Sequence, residues 1–205
     1  QAWNISNENF LSDSAIVNNL KLRASYGQTG NNGIGNNQYQ SLFGYGASYN
    51  DQGAVFPSTF GNLIISWETA NLLDVGVDFS LLDNRLSGSV TYYEKETDDL
   101  LQSVPLSRTT GHTSQTMNVG AIMNKGIEIE LDAQVLKTND FSFEIYGNFS
   151  ENNDEVTRLA KTADGEDINL DSFYYTTRVG SPKDQWYIRT WGGVDPADGR
   201  PYYLV

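Results

Sequence analysis

The stretch KGIEIELDAQV, residues 125–135, alternates almost without error. Ile127, Ile129, Leu131, Ala133 and Val135 are apolar, while Glu128, Glu130, Asp132 and Gln134 between them are acidic or amide side chains. Successive strand residues point to opposite faces, so the segment carries an aliphatic stripe on one side and carboxylates on the other. A half-buried strand of a soluble sheet has the same period, with its polar side in water. The length and company of the neighbouring strands decide between the two.

The same pattern recurs along the chain. NLKLRASYG (19–27) sets Leu20, Leu22, Ala24 and Tyr26 against Lys21, Arg23, Ser25 and Gly27. WETANLLDVGVDFSLL (67–82) places Trp67, Leu73, Val75, Val77, Phe79 and Leu81 on odd positions, with Glu68, Asp74, Asp78 and Ser80 on even ones. LSGSVTYYEKET (86–97), the longer run 117–136 around the opening stretch, and FSFEIYGNFSENNDEV (141–156) continue the series. DNR (83–85) and KTND (137–140) read as tight turns, because Asp and Asn tolerate turn conformations. Segments 28–62, 98–116 and 157–185 read as long connections, and DPADGR (195–200) as the turn of a closing hairpin.

Connections therefore alternate between long and tight. Strands of a soluble sandwich average five or six residues, whereas these approach fifteen, beyond the ~9–11 that cross a tilted bilayer span. Long antiparallel strands with short turns at one end and long loops at the other describe an outer-membrane barrel. The fold class expected is all-β: a section of a large antiparallel transmembrane β-barrel, with about six strands in this chain. The odd-numbered stripe is expected to face lipid, and Glu68, Asp74, Asp78, Glu128, Glu130, Asp132 and Glu144 to face a wet lumen. The turns at 83–85 and 137–140 are expected on the periplasmic side, and the segments near 29–64, 99–116 and 155–184 outside the cell.

Composition agrees. The 205 residues include 12 Tyr, 9 Phe, 4 Trp and 19 Gly, a mixture that favours strands over helices. A balance of 13 basic to 26 acidic residues argues against nucleic acid as a partner. With no cysteine, neither a disulfide framework nor a thiolate metal site is possible. Neither end resembles a natural terminus, so the chain reads as a section of a longer protein.

Five blocks in order resemble one family: LKLRASYGQTGN, the run from WETANLLDVGVDFSLLDNRL to KETDDLL, VPLS, NVGAIMNKGIEIEL, and VGSPKDQWY followed by GVDPADGRPYY. They look like consecutive signatures of the SusC/RagA family of TonB-linked outer-membrane transporters, spread from about Trp3 to Tyr203. The resemblance implies a 22-stranded barrel with a plug, both energised through TonB and capped by a SusD-like surface lipoprotein. It also implies import of oligosaccharides or peptides. Residues 1–205 would then be part of the barrel domain, with the plug and the TonB-contacting segment outside this chain. Two other readings stay open: a passive or structural barrel (a porin or secretion-machine anchor), and a secreted carbohydrate-binding β-sandwich.

No motif points to an enzyme or a cofactor. GNNGIG (30–35) lacks the strand–loop–helix setting and the Lys-Ser/Thr of a phosphate loop. Asp164, Glu166 and Asp167 lack the spacing of a twelve-residue calcium loop and read as solvated charge. Glu128 and Glu130, about 7 Å apart by strand rise, invite a glycosidase reading, but a lumen lining accounts for both. His112 is the only histidine and reads as a solvated loop residue. Trp67, Tyr92, Tyr93, Trp186 and Tyr187 suit interfacial girdles. Tyr39, Phe43, Tyr45 and Tyr49, in the first long connection, are candidate contacts for a glycan or for a capping lipoprotein.

Overall fold

The computed structural model describes residues 1–204. The alternating segments pair into one antiparallel sheet of six strands, in the order β1-β2-β5-β6-β7-β8. They are β1 (Ala2–Asn4), β2 (Val17–Asn31), β5 (Glu68–Leu81), β6 (Leu86–Pro105), β7 (Ser114–Lys137) and β8 (Ser142–Arg158). Between β2 and β5 stand β3 (Leu42–Tyr49) and β4 (Gln52–Thr59), paired only with each other. After β8 come β9 (Leu170–Asp171), β10 (Tyr175–Thr177) and β11 (Gln185–Trp186) in a small sheet, then the hairpin of β12 (Thr190–Val194) and β13 (Pro201–Leu204). The sheet is an open section with β1 and β8 at its edges, not a closed barrel. No helix among the described residues is long and apolar enough to cross a membrane, which says nothing about crossing with strands.

Both tight turns form, the first through left-handed Asp and Asn and the second through Thr138. Leu82, Asp83 and Asn84 all take left-handed backbone (φ 56°, 56° and 62°), and Arg85 N–H donates to Leu82 O at 3.2 Å. Asn and Asp reach that region at low cost. At the second turn Thr138 N–H donates to Phe141 O at 2.8 Å, and Phe141 N–H donates to the Thr138 hydroxyl at 3.0 Å.

The long connections depart from expectation. Much of 98–116 is strand: β6 runs to Pro105 and β7 starts at Ser114, leaving a short link with a 3-10 turn at Arg108–Thr110 closed by Gly111 at φ 81°. Pro105 is the last residue of β6, a position where a strand tolerates the missing N–H. The first connection contains the β3–β4 hairpin, whose two-residue turn Asn50-Asp51 has both φ values positive (51° and 58°), as tight hairpins require. The count of six sheet strands stands, but its membership changes. Three residues at the N-terminus, Ala2–Asn4, pair with Lys21–Arg23, while 185–204 form local pairs outside the sheet.

Buried apolar side chains are confined to one end. Val104, Ala121, Val156, Leu159 and Ala160 are the buried hydrophobic residues, joined there by Thr176 and Thr177. They lie where the distal β6–β7 ladder meets the end of β8 and the loop that follows. We call this end the collar and the remainder of the sheet the belt.

Candidate functional site

The belt has two chemically opposite faces, and the ladder register sorts them. On one face, rung by rung, Leu22, Val77, Val90, Ile129 and Phe149 align, as do Leu20, Phe79, Gly88, Leu131 and Gly147. Among the described residues nothing covers this face: Val75, Val90, Ile127, Leu131, Ile145 and Phe149 are all exposed, Phe149 to 58%.

The upper limit of this apolar band runs obliquely. The last apolar residue before charge or amide begins is Tyr26 on β2, Leu73 on β5, Tyr92 on β6, Ile127 on β7 and Phe149 on β8. Tyr26 and Leu73 are partners, Tyr92 and Ile127 sit two residues lower, and Phe149 two lower again. At ~3.4 Å per residue and ~4.8 Å per strand, the limit falls about 14 Å across about 19 Å, a slope of about 35°. The lower limit shifts the same way, from the Leu81–Leu86 pair to the Leu136–Phe143 pair. A flat bilayer cut by strands tilted ~35–45° draws this line on a sheet.

The opposite face is mainly polar, with Ala70 and Leu72 as apolar exceptions near the start of β5. Lys21 and Arg23 on β2 meet Asp74 and Asp78 on β5: Arg23 Nε donates to Asp78 Oδ1 at 3.0 Å, Nη1 lies 3.7 Å from Asp74 Oδ1, and Lys21 Nζ lies 3.9 Å from Asp78. Arg23 then crosses β5 to donate through Nη2 to the Thr91 hydroxyl on β6 at 2.5 Å. It lies over Gly76, where an added Cβ would stand 2.9 Å from the guanidinium carbon. Sequence reasoning missed this bridge. Its signal is DVGVD, a glycine between two same-face aspartates that leaves room for a side chain to pass.

Beyond Thr91 the face carries Ser87 and Ser89 on β6, then Glu128, Glu130 and Asp132 on β7, then Tyr146, Asn148 and Ser150 on β8. Among the described residues none of the three β7 carboxylates has a cation within 4.0 Å. A concavity of about 780 Å³ is lined by Arg23, Asp78, Ser89, Glu130, Asp132 and Tyr146. Tyr93, on this face, covers Gly126 and donates to Asn152 Oδ1 at 2.8 Å. Glu144 shares the face and accepts from Gln134 Nε2 at 2.8 Å.

Glu68, at the start of β5, accepts two hydrogen bonds. The ladder slips between Thr97 and Leu101, and the freed Leu101 N–H donates to Glu68 Oε1 at 3.0 Å while Asn31 donates to Oε2 at 2.8 Å. A carboxylate satisfies a backbone donor that a β-bulge leaves unpaired. The four loop aromatics are not gathered on one surface. Phe43 and Tyr45 share a face of the β3–β4 hairpin with Val55, the register shift at Gly46 turns Tyr49 to the other face, and Tyr39 precedes the hairpin. Asp167 pairs with Lys161 at 3.5 Å, and no group of three or more His, Cys, Asp or Glu suited to a metal exists among the described residues.

A family model described as "TonB dependent receptor-like, beta-barrel" matches residues 3–203. The chain belongs to the TonB-dependent receptor β-barrel family. TonB-dependent receptor P3 of Formosa agariphila is 39% identical over 176 residues, covering 83% of this chain and 17% of that protein. TonB-dependent receptor SusC of Bacteroides thetaiotaomicron is 33% identical over 176 residues, covering 80% of this chain and 17% of that protein. A solved structure of the RagAB peptide transporter superposes with a TM-score of 0.83 at 30% identity, over 98% of this chain and 22% of that one. The 'open-open' state of the RagAB peptide importer gives 0.85 at 30% identity, over 100% and 22%. The chain thus spans about a sixth of the length of these curated relatives, and the likeness to SusC and RagA expected from the five sequence blocks is found.

Proposed function

We propose that this chain is a section of the wall of an outer-membrane TonB-dependent importer, with its apolar band against lipid and its polar face toward the lumen. The observation that carries the reading is the oblique apolar band, uncovered on one face of strands whose other face is charged. In this reading Asp74, Asp78, Glu128, Glu130, Asp132 and Glu144 line the lumen, and the wall performs no chemistry. The plug and the TonB-contacting segment belong to other parts of the protein, a SusD-like surface lipoprotein caps the barrel, and the cargo is an oligosaccharide or a peptide. Similarity to SusC and to the RagAB peptide transporter supports this assignment.

The test uses the full-length protein in its own outer membrane. Uptake of labelled oligosaccharides and peptides is measured before and after an inner-membrane uncoupler, and again after deletion of the TonB-contacting segment. Both treatments should abolish uptake. Uptake indifferent to both would leave a passive barrel as the better account.

A further inference from the structure

We propose that a small neutral pocket at the foot of the β3–β4 hairpin binds a single uncharged sugar ring, giving the importer a receptor subsite on its loop surface. The inference rests on the import reading above and narrows the cargo class at this one place.

The pocket holds about 220 Å³ and lies between Gln38, the end of β4 at Ser58 and Thr59, Phe60, and residues 112–116 where β7 begins. Its frame is tied from both sides. Gln115 Nε2 donates to Gly61 O at 2.6 Å, Asn62 Nδ2 to Thr116 O at 3.0 Å, and Asn62 N–H to Gln38 O at 3.2 Å. The Phe60 and His112 rings pack with centroids 5.1 Å apart. Asn62 is itself buried.

Within that frame the lining contains no Asp, Glu, Lys or Arg. The amide of Gln38, the hydroxyls of Thr59, Ser114 and Thr116, and the ring nitrogens of His112 make no side-chain hydrogen bond among the described residues. Hydroxyls and amides both donate and accept, which matches a ligand whose own groups are hydroxyls. An anionic sugar finds no cation here, and an apolar or charged peptide side chain finds neither a greasy floor nor a counter-charge. The volume lies below the ~300–1,000 Å³ of pockets for drug-sized ligands, so it suits one ring of a longer chain.

The purified full-length protein is titrated with D-glucose, D-galactose and D-mannose, with their neutral hexasaccharides, and with an anionic hexauronate and a tripeptide as controls. Saturation-transfer NMR and calorimetry read the binding. At least one neutral series should bind, and the uronate should not compete. Gln38→Ala and Thr59→Val should each weaken binding about 3- to 10-fold, the worth of about one neutral hydrogen bond, with the barrel still heat-resistant in detergent. If no neutral pyranose binds, or if both variants bind like the wild type, the subsite is refuted. Energised uptake in the same cells separates the two claims. Uptake that persists without neutral-sugar binding removes the pocket alone, whereas loss of energy dependence removes the import reading itself.

Discussion

β6 and β7 run through both the belt and the collar, yet the two regions are held together differently. In the belt, backbone ladders and polar-face bridges such as Arg23 are internal, while the apolar side chains are left outside. In the collar the chain makes its own interior: Val156 is 1% exposed and Ala121 2%. In the proposed importer wall the same residue types have different partners, lipid in one region and protein in the other. There a bilayer would supply the missing core of the belt but could fill nothing in the collar.

The largest effect should come from reversing polarity on the belt's apolar face. Ile129 lies inside the band, one same-face step from its centre on β7 at Leu131, on the rung with Val77, Val90 and Phe149. Ile129→Arg in the full-length barrel should cost about 2–4 kcal/mol of refolding free energy in lipid vesicles, as a basic residue does near the bilayer midplane. A cost near zero would mean that the face does not meet lipid, and the comparison of the two regions would collapse.

Next in size is a pair of equal truncations. Val156→Ala in the collar should lose about 2–3 kcal/mol, since a cavity adds to the lost transfer energy. Val77→Ala in the belt should lose about 1 kcal/mol, because acyl chains close over the gap and only transfer energy remains. Urea titrations of both variants against the same parent provide the comparison, and equal losses would show that both sites are packed by protein.

The belt was more legible than the collar for a physical reason. Strict alternation, as in Gly126–Val135 and Leu73–Leu81, survives only while the ladder keeps register. Slips between Thr97 and Leu101 and between Gln134 and Leu136 reset the parity, so a sequence pattern cannot follow strands past them. That is why 98–105 reads as loop, and why nothing in the sequence pairs Glu68, lying opposite the first slip, with Leu101 N–H. β1 is three residues long, too short for any period. The glycines of LFGYGASY hide β3, although the Asn50-Asp51 pair after it is a recognisable turn signal. Arg23 was assigned to the correct face, but its reach across Gly76 depends on register with a strand more than fifty residues away.

A second collar variant acts with the opposite sign. Both amide atoms of Gln102 are buried without a hydrogen-bond partner. An unsatisfied buried donor or acceptor costs roughly 1–3 kcal/mol, and an apolar replacement of similar shape removes that cost. Gln102→Leu should therefore leave the full-length protein as stable or stabilise it by about 1 kcal/mol, read from its thermal midpoint in detergent. A marked loss would reveal that water or another group completes the amide's bonds and that the collar interior is wetter than its apolar lining suggests.

The smallest effect is expected one residue from the largest. Glu130 follows Ile129 in β7 but points to the opposite face, between Ser89 and Asn148, with no cation within 4.0 Å among the described residues. If that face is the wet wall of a lumen, a side chain there stays hydrated whatever its sign, and Glu130→Lys should change refolding free energy by less than about 0.5 kcal/mol, as surface substitutions do. The new ammonium would lie beside Glu128 and Asp132, which share its strand face two residues away on either side, so any residual change should be stabilising and should fade with added salt. Single cysteines at the two positions give an independent reading: a water-soluble thiol reagent should modify Cys at 130 and spare Cys at 129. Equal costs for Ile129→Arg and Glu130→Lys, or equal labelling, would erase the distinction between the faces, because the argument requires adjacent residues on one strand to meet two different solvents.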